Sequence, residues 1–179
     1  MERFLQIAHR IDQLSDFFGQ IAKWAVFLSC IISAGNVVMR YAFDYSSNAW
    51  LEIQWYMFAA CVMLGAAQVL RVNEHVRVDL IYGRLSSRAK VYVDIFGLLF
   101  FLFPVIGLML YLSFPLFLKM FLTHEMSNNA GGLIRWPAML MLPLGFALLF
   151  LQGIAELIKR VAWLNNRYQM DFQYERPLQ

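Results

Sequence analysis

Four long apolar stretches with almost no charge in their interiors dominate this 179-residue chain. Each contains roughly 20 or more residues, which at 1.5 Å per residue is enough to cross a hydrocarbon core about 30 Å thick. A soluble domain of this size would alternate apolar and charged residues, whereas here 60% of the residues are hydrophobic and 15% are charged. The sequence therefore predicts an all-α membrane protein with four transmembrane helices, at about residues 21–43, 50–70, 93–117 and 136–158.

The lysines and arginines are divided unequally between the two sides of these spans. Twelve lie before the first span, between the second and third, or after the fourth, while only Arg40, Lys119 and Arg135 lie on the other side. Because positive residues are retained on the cytoplasmic side, this distribution predicts that both termini are cytoplasmic. The inverted topology is the alternative, and it would need strong opposing signals.

The segment before the first span has a different character. From Phe4 to Ile21, apolar residues recur at helical spacing, with charged and amide side chains opposite them. This pattern predicts an amphipathic helix over residues 1–20 that lies in the cytoplasmic interface and turns into the bilayer at Lys23 and Trp24. A helix that docks a partner protein is the alternative. Residues 21–160 would then form the four-helix transmembrane domain, and residues 161–179 a short cytoplasmic tail.

Several residues within the spans indicate how the helices pack. Cys61 and Gly65 are small and four residues apart, a spacing that lets helices approach closely. Gln68 and Gln152 are uncharged polar groups that can bond within the bundle or to a second protein. We also expect kinks at the three prolines inside the predicted spans, Pro104, Pro115 and Pro143.

The middle third of each span contains no Asp, Glu, Lys, Arg or His. Four charged residues, Arg40, Glu52, Asp94 and Glu156, lie within a turn or two of an interface, where we expect their side chains to snorkel into water. An ion-coupled carrier usually has a charged or broken-helix site near the midplane, and a haem subunit needs ligands within its spans. The pattern therefore favours a structural or accessory subunit rather than an enzyme, with no catalytic residue, metal site or cofactor on this chain.

Arg40 ends the first span and Glu52 begins the second, so an antiparallel hairpin places them at similar depth. An ion pair between them is one interpretation, and two independent side chains at the interface are the other. On the opposite side, the connection after the second span is strongly charged, and we expect Asn73, His75 and Asp79 to shape it.

Three motifs follow one another around the first two spans. They are Arg40, then Trp50-Leu51-Glu52, then Asn-Glu-His-Val-Arg-Val-Asp at residues 73–79. Together with Ser-Asn-Asn-Ala-Gly-Gly-Leu-Ile-Arg-Trp-Pro at residues 127–137, this order resembles the DctQ-like small membrane subunit of tripartite ATP-independent periplasmic (TRAP) transporters, in its mannitol/chloroaromatic branch. The resemblance covers about residues 5–165. The positions that match its motifs or are expected at its interfaces are Arg40, Trp50, Glu52, Gly65, Arg71, Asn73, His75, Asp79, Ser127, Arg135, Trp136 and Pro137.

The resemblance implies a location in the bacterial inner membrane and two protein partners, with no nucleic acid. A periplasmic substrate-binding protein delivers an organic acid, and a large membrane subunit carries the substrate and sodium sites. The small subunit packs against the large subunit as a scaffold and helps to dock the binding protein. The branch suggests a monocarboxylate or 2-oxo acid as substrate. Many relatives have a second acid after Glu52, whereas this chain has Ile53, so a role of that second acid does not transfer.

Two other function classes compete with the scaffold subunit. An autonomous four-helix carrier of small molecules would need an essential acid within the membrane, and Glu52 and Asp94 lie too close to the interfaces for that role. A membrane anchor for a redox enzyme would need intramembrane haem ligands, and the histidines, His9, His75 and His124, all lie outside the predicted spans.

Overall fold

The computed structural model describes residues 1–73, 82 and 84–169. Its helices are α1 (Glu2–Phe43), α2 (Asn48–Val72), α3 (Ser87–Gly97), α4 (Phe103–Thr123) and α5 (Trp136–Leu164), and a π-helical turn at Leu98–Leu102 joins α3 to α4. Four helical stretches are long and apolar enough to cross a membrane, if α3, the π turn and α4 are taken together. The predicted all-α fold with four membrane-spanning helices is confirmed.

The start of α1 and the end of α5 lie at one end of the bundle, which we call the terminal end. The α1–α2 turn and the α4–α5 loop (residues 124–135) lie at the other, which we call the loop end. At the loop end the two connections are in contact, since Asn48 Nδ2 donates a hydrogen bond to the Ala130 carbonyl at 2.9 Å. Which end faces the cytoplasm remains a prediction from the charge distribution.

The N-terminal segment and the first span form one continuous helix. Helix α1 has 42 residues, about 63 Å at 1.5 Å per residue, and no break separates the predicted interfacial helix from the first span at Lys23 and Trp24. A Lys–Trp pair marks an interface but does not interrupt backbone hydrogen bonds, so the sequence contains nothing that ends the helix there. The interfacial position of residues 1–20 stays a prediction.

The N-terminal half of α1 packs part of its polar side inward. Ala8, Ser15 and Ala22 are buried, whereas Phe4 and Phe17 are exposed. Around Ser15 this helix contacts the rest of the bundle through polar groups, because Gln152 of α5 and Gln68 of α2 lie opposite it.

Helix α5 is the centre of the bundle, since it packs against α1, α2 and α4, whereas α4 packs mainly against α5. A Cβ atom on Gly145 would lie 2.7 Å from the Met63 carbonyl oxygen, so α2 and α5 approach at backbone contact. A Cβ on Gly153 would lie 2.9 Å from a side-chain carbon of Leu102, so α5 also packs closely against the π turn. A Cβ on Gly65 would contact Ala22 at 3.5 Å, in agreement with the predicted small-residue surface on α2.

The π turn lies immediately before α4, in which Pro104 is the second residue. The Phe103 amide donates to the Leu98 carbonyl five residues earlier. Proline has no amide hydrogen and disturbs the preceding turn, so a wider turn is a physical response to it. Pro115 lies inside α4 and Pro143 inside α5.

We predict that Gly145→Leu destabilises the bundle, because the new side chain collides with the Met63 backbone, which cannot rotate away. Overpacking of this kind costs about 1–3 kcal/mol or more. Thermal unfolding in detergent, followed by loss of the monodisperse chromatographic peak, measures the change. Gly35→Leu is the matched control, since a side chain there enters open space. Equal midpoints for the two variants would contradict the close α2–α5 contact.

Candidate functional site

A buried carboxylate organises the loop end. Glu52 lies on the first turns of α2 and is only 3% exposed. Its Oε1 accepts hydrogen bonds from the Ser127 hydroxyl and from Asn129 Nδ2, the latter at 2.7 Å, and its Oε2 accepts one from the Leu133 amide at 2.7 Å. We call Glu52, Ser127, Asn129 and Leu133 the Glu52 cluster. Three donors satisfy a carboxylate that would otherwise be costly to bury.

The loop is folded so that these donors converge. The Ser127 amide donates to the Leu133 carbonyl at 2.9 Å, and the Arg135 amide donates to the Glu125 carbonyl at 2.9 Å. Gly131 turns the chain with a φ of +69°, which favours glycine. A Cβ on Gly132 would lie 2.8 Å from the Glu52 Oε1, so the carboxylate needs glycine at that position.

Further contacts fasten the loop to α2 and α5. The Tyr56 hydroxyl donates to the Ile134 carbonyl at 3.0 Å, and the Arg135 guanidinium pairs with Glu125 at 2.7 Å. Trp136, at the start of α5 beside Pro137, packs edge-on against Phe121 with 5.3 Å between ring centroids. Contacts near the start and near the end of the loop therefore hold it against the helices.

The interpretation of Arg40 and Glu52 as an ion pair is wrong. Arg40 lies exposed on the last turn of α1, and no salt bridge joins it to Glu52 in the part of the chain that the structure describes. Glu52 instead gives both of its oxygens to the loop. Trp50 remains largely exposed, so the motif residues around the first turn do not form one cluster.

A second polar cluster lies at the terminal end, where five charged side chains from three helices form the Asp12 network. It consists of Asp12 on α1, Asp94 on α3, and Glu156, Lys159 and Arg160 on α5. Lys159 bridges Asp12 at 3.0 Å and Glu156 at 2.5 Å, and Arg160 bridges Glu156 at 2.5 Å and Asp94 at 3.0 Å. The five side chains are between 6% and 13% exposed.

Neutral polar groups extend the network along α1. The Ser15 hydroxyl donates to Gln152 Oε1 at 2.7 Å, and Gln152 Nε2 donates to Asp12 at 2.9 Å. Asp16 pairs with Arg71 of α2 at 2.6 Å and accepts from Gln68 at 3.3 Å. Gln68 and Gln152 therefore bond within the bundle, one of the two roles expected from the sequence.

The expectation that Asp94 and Glu156 snorkel into water is wrong, because Glu156 is buried, Asp94 is partly buried, and both form ion pairs with Arg160. The sequence does contain a partial signal, since Glu156, Lys159 and Arg160 are spaced three and four residues apart on one helix face. Nothing local connects them to Asp12 or Asp94, which are 147 and 66 residues away from their α5 partners.

The remaining predicted positions are dispersed. Arg71 is part of the extended network, and Asn73 ends α2 with a φ of +60° while its amide donates to the Leu70 carbonyl. His75 and Asp79 lie outside the described residues. Among the predicted positions, the structure brings Glu52 and Ser127 into direct contact, and Arg135 lies close to them in the same loop.

We predict that Glu52→Ala releases the loop, because three donors lose their acceptor. Hydrogen–deuterium exchange should then accelerate in peptides that contain the Ser127 and Leu133 amides. In the control Glu125→Ala, exchange at these amides should stay close to wild type, since that variant removes only a half-exposed ion pair. Unchanged protection in Glu52→Ala would contradict the organising role of the carboxylate.

We predict that Lys159→Met destabilises the chain by about 1–3 kcal/mol, because Asp12 loses its cation while it stays partly buried, and Glu156 keeps only Arg160. Adding Asp12→Asn should restore part of the loss, which a double-mutant cycle in thermal or denaturant unfolding measures. Lys23→Met removes an exposed cation and is the control. Strictly additive losses would show that Asp12 and Lys159 are not coupled.

Comparison with known proteins identifies the family. None of the curated proteins and none of the solved structures matches the chain significantly. The family model for the DctQ component of tripartite ATP-independent periplasmic transporters matches residues 13–162, which include the whole Glu52 cluster and all of the Asp12 network except Asp12 itself. This match extends over most of the chain and confirms the resemblance seen in the motifs. The chain therefore belongs to the DctQ family and is the small component of a TRAP transporter, a multi-pass protein of the inner membrane.

Proposed function

We propose that this chain is the static scaffold subunit of a sodium-coupled, binding-protein-dependent TRAP transporter for organic acids. It packs against the large membrane subunit, holds that subunit in place in the bilayer, and helps to dock the periplasmic binding protein. The substrate and sodium sites belong to the large subunit. The substrate class, a monocarboxylate or 2-oxo acid, is chosen by the binding protein and the large subunit.

The distribution of charge along the helices is the observation that carries this proposal. No Asp, Glu, Lys, Arg or His lies between Glu52 and Arg71, between Asp94 and Lys119, or between Arg135 and Glu156. A carrier of an anion and a cation needs polar groups or interrupted helices near the midplane. In this chain the ionic groups are at the ends of the spans, where Glu52 binds the loop and the Asp12 network joins three helices. This arrangement supports a fixed structural part rather than a moving, substrate-binding one.

The lipid-facing surface supports a membrane-embedded partner. Large side chains are exposed along α1 at Phe27 and Val38, and along α4 at Tyr111 and Leu112. In a bilayer such surfaces can contact lipid or another helix, and association there depends on close packing and hydrogen bonds rather than on hydrophobicity.

The loop end supports the docking role. Hydrogen bonds to Glu52 hold residues 124–135 in one conformation, and the neighbouring α1–α2 turn presents the exposed Tyr45. A surface fixed before binding costs less ordering entropy than a flexible one. The charge distribution predicts that this end is periplasmic, where the binding protein is expected.

Reconstitution into proteoliposomes tests the proposal. We predict sodium-driven uptake of an organic acid only when this chain, the large subunit and the binding protein are all present. Glu52→Ala should lower both the yield of the membrane complex and uptake, while the exposed control Glu2→Ala should leave both unchanged. Uptake by this chain alone would favour the autonomous carrier, and normal yield and uptake in Glu52→Ala would contradict the role of the loop end.

A further inference from the structure

A cleft separates α2 from α3 and α4 in the half of the bundle nearest the terminal end. Its volume is about 750 Å³, and among the described residues it arises because α4 packs mainly against α5 and not against α2. Leu98 and Ile106 form a buried floor, and Val93 and Phe101 are exposed at its rim. The cleft therefore opens sideways, toward the hydrocarbon of the membrane.

The two ends of the cleft differ in polarity. Away from the terminal end the walls are apolar, and include Ala66, Val105 and Leu149. At the terminal end the lining changes to Tyr82, Asp94 and Arg160, where the Tyr82 hydroxyl donates to Asp94 at 3.0 Å. An apolar channel with polar groups at one end has the same polarity profile as a lipid molecule.

The length of the cleft matches a lipid chain. The stretch from Asp94 to Ile106 is about 18 Å long at 1.5 Å per residue, close to one leaflet of the hydrocarbon core, about 15 Å. Phe101 and Val105 are exposed along it, so the cleft is open on its lipid-facing side and a flexible hydrocarbon chain can enter and follow the apolar walls.

We propose that this cleft binds an acyl chain of a phospholipid from the leaflet at the terminal end, with the headgroup beside Tyr82, Asp94 and Arg160. The bound chain fills the space between α2 and α4 and supplies the packing that the protein lacks there. The site is a structural lipid site of this subunit, and it does not depend on the transported substrate or on sodium coupling.

A pair of glycine variants tests the proposal. Gly97 lines the cleft and Gly107 lies on α4 outside it, and a side chain at either position enters open space. Gly97→Phe should therefore fill the cleft, whereas Gly107→Phe adds the same side chain elsewhere. The full chain is purified in mild detergent, supplied with dioleoyl phosphatidylethanolamine or dioleoyl phosphatidylglycerol, and analysed by native mass spectrometry.

We expect wild type and Gly107→Phe to retain a phospholipid, and Gly97→Phe to retain several-fold less. Retention of either lipid supports the proposal, since the acyl chain is the shared ligand and the two arms report the headgroup preference. Equal retention in the two glycine variants, or none in wild type, would overturn it.

A cross-linking measurement covers the case in which Gly97→Phe fails to fold. A photoreactive amino acid replaces Phe101, which lies at the rim of the cleft and is 64% exposed, and cells are irradiated before extraction. A phospholipid adduct at this position supports the proposal. A protein adduct, such as one with a helix of the large subunit, would show that a protein occupies the cleft and would overturn it.

Discussion

Charge in a low-dielectric environment has to be paired or kept near water, and this requirement explains most of the architecture. The chain meets it by placing its ionic groups at two levels and leaving about one hydrocarbon thickness of apolar helix between them. At one level, Glu52 binds three donors from the loop at residues 124–135. At the other, Lys159 and Arg160 of α5 connect α1 and α3. Each level fixes helices that apolar contacts alone would leave free to slide.

Helix α5 connects the two levels of ionic groups. It begins at the loop that Glu52 holds, passes α2 at Gly145 with almost no side chain between the backbones, and ends in the Asp12 network. Helix α4, by contrast, has one main neighbour and leaves a cleft open toward α2. The subunit is therefore well fixed around α5 and open on one side, and a lipid chain on that side is the simplest way to complete its packing.

Hydropathy predicted the number of spans because the absence of charge over some 20 residues is a local property. The continuity of α1 was missed, since Lys23 and Trp24 indicate an interface without interrupting a helix. Both polar clusters were missed as clusters, although Glu52 and Ser127 were singled out by their motifs. In the Glu52 cluster, the residues that donate to Glu52 are 75 or more positions away from it in the sequence, so only the tertiary fold brings them together.

The central claim is that this chain works as a fixed part of a larger membrane complex, and its partners in native membranes test that claim most directly. The tagged chain would be purified from mild-detergent extracts, and co-purifying proteins would be identified and quantified by mass spectrometry. The account predicts one large polytopic membrane protein in stoichiometric amount. Recovery of the chain from native membranes without such a partner, alone or only as a homo-oligomer, would contradict it.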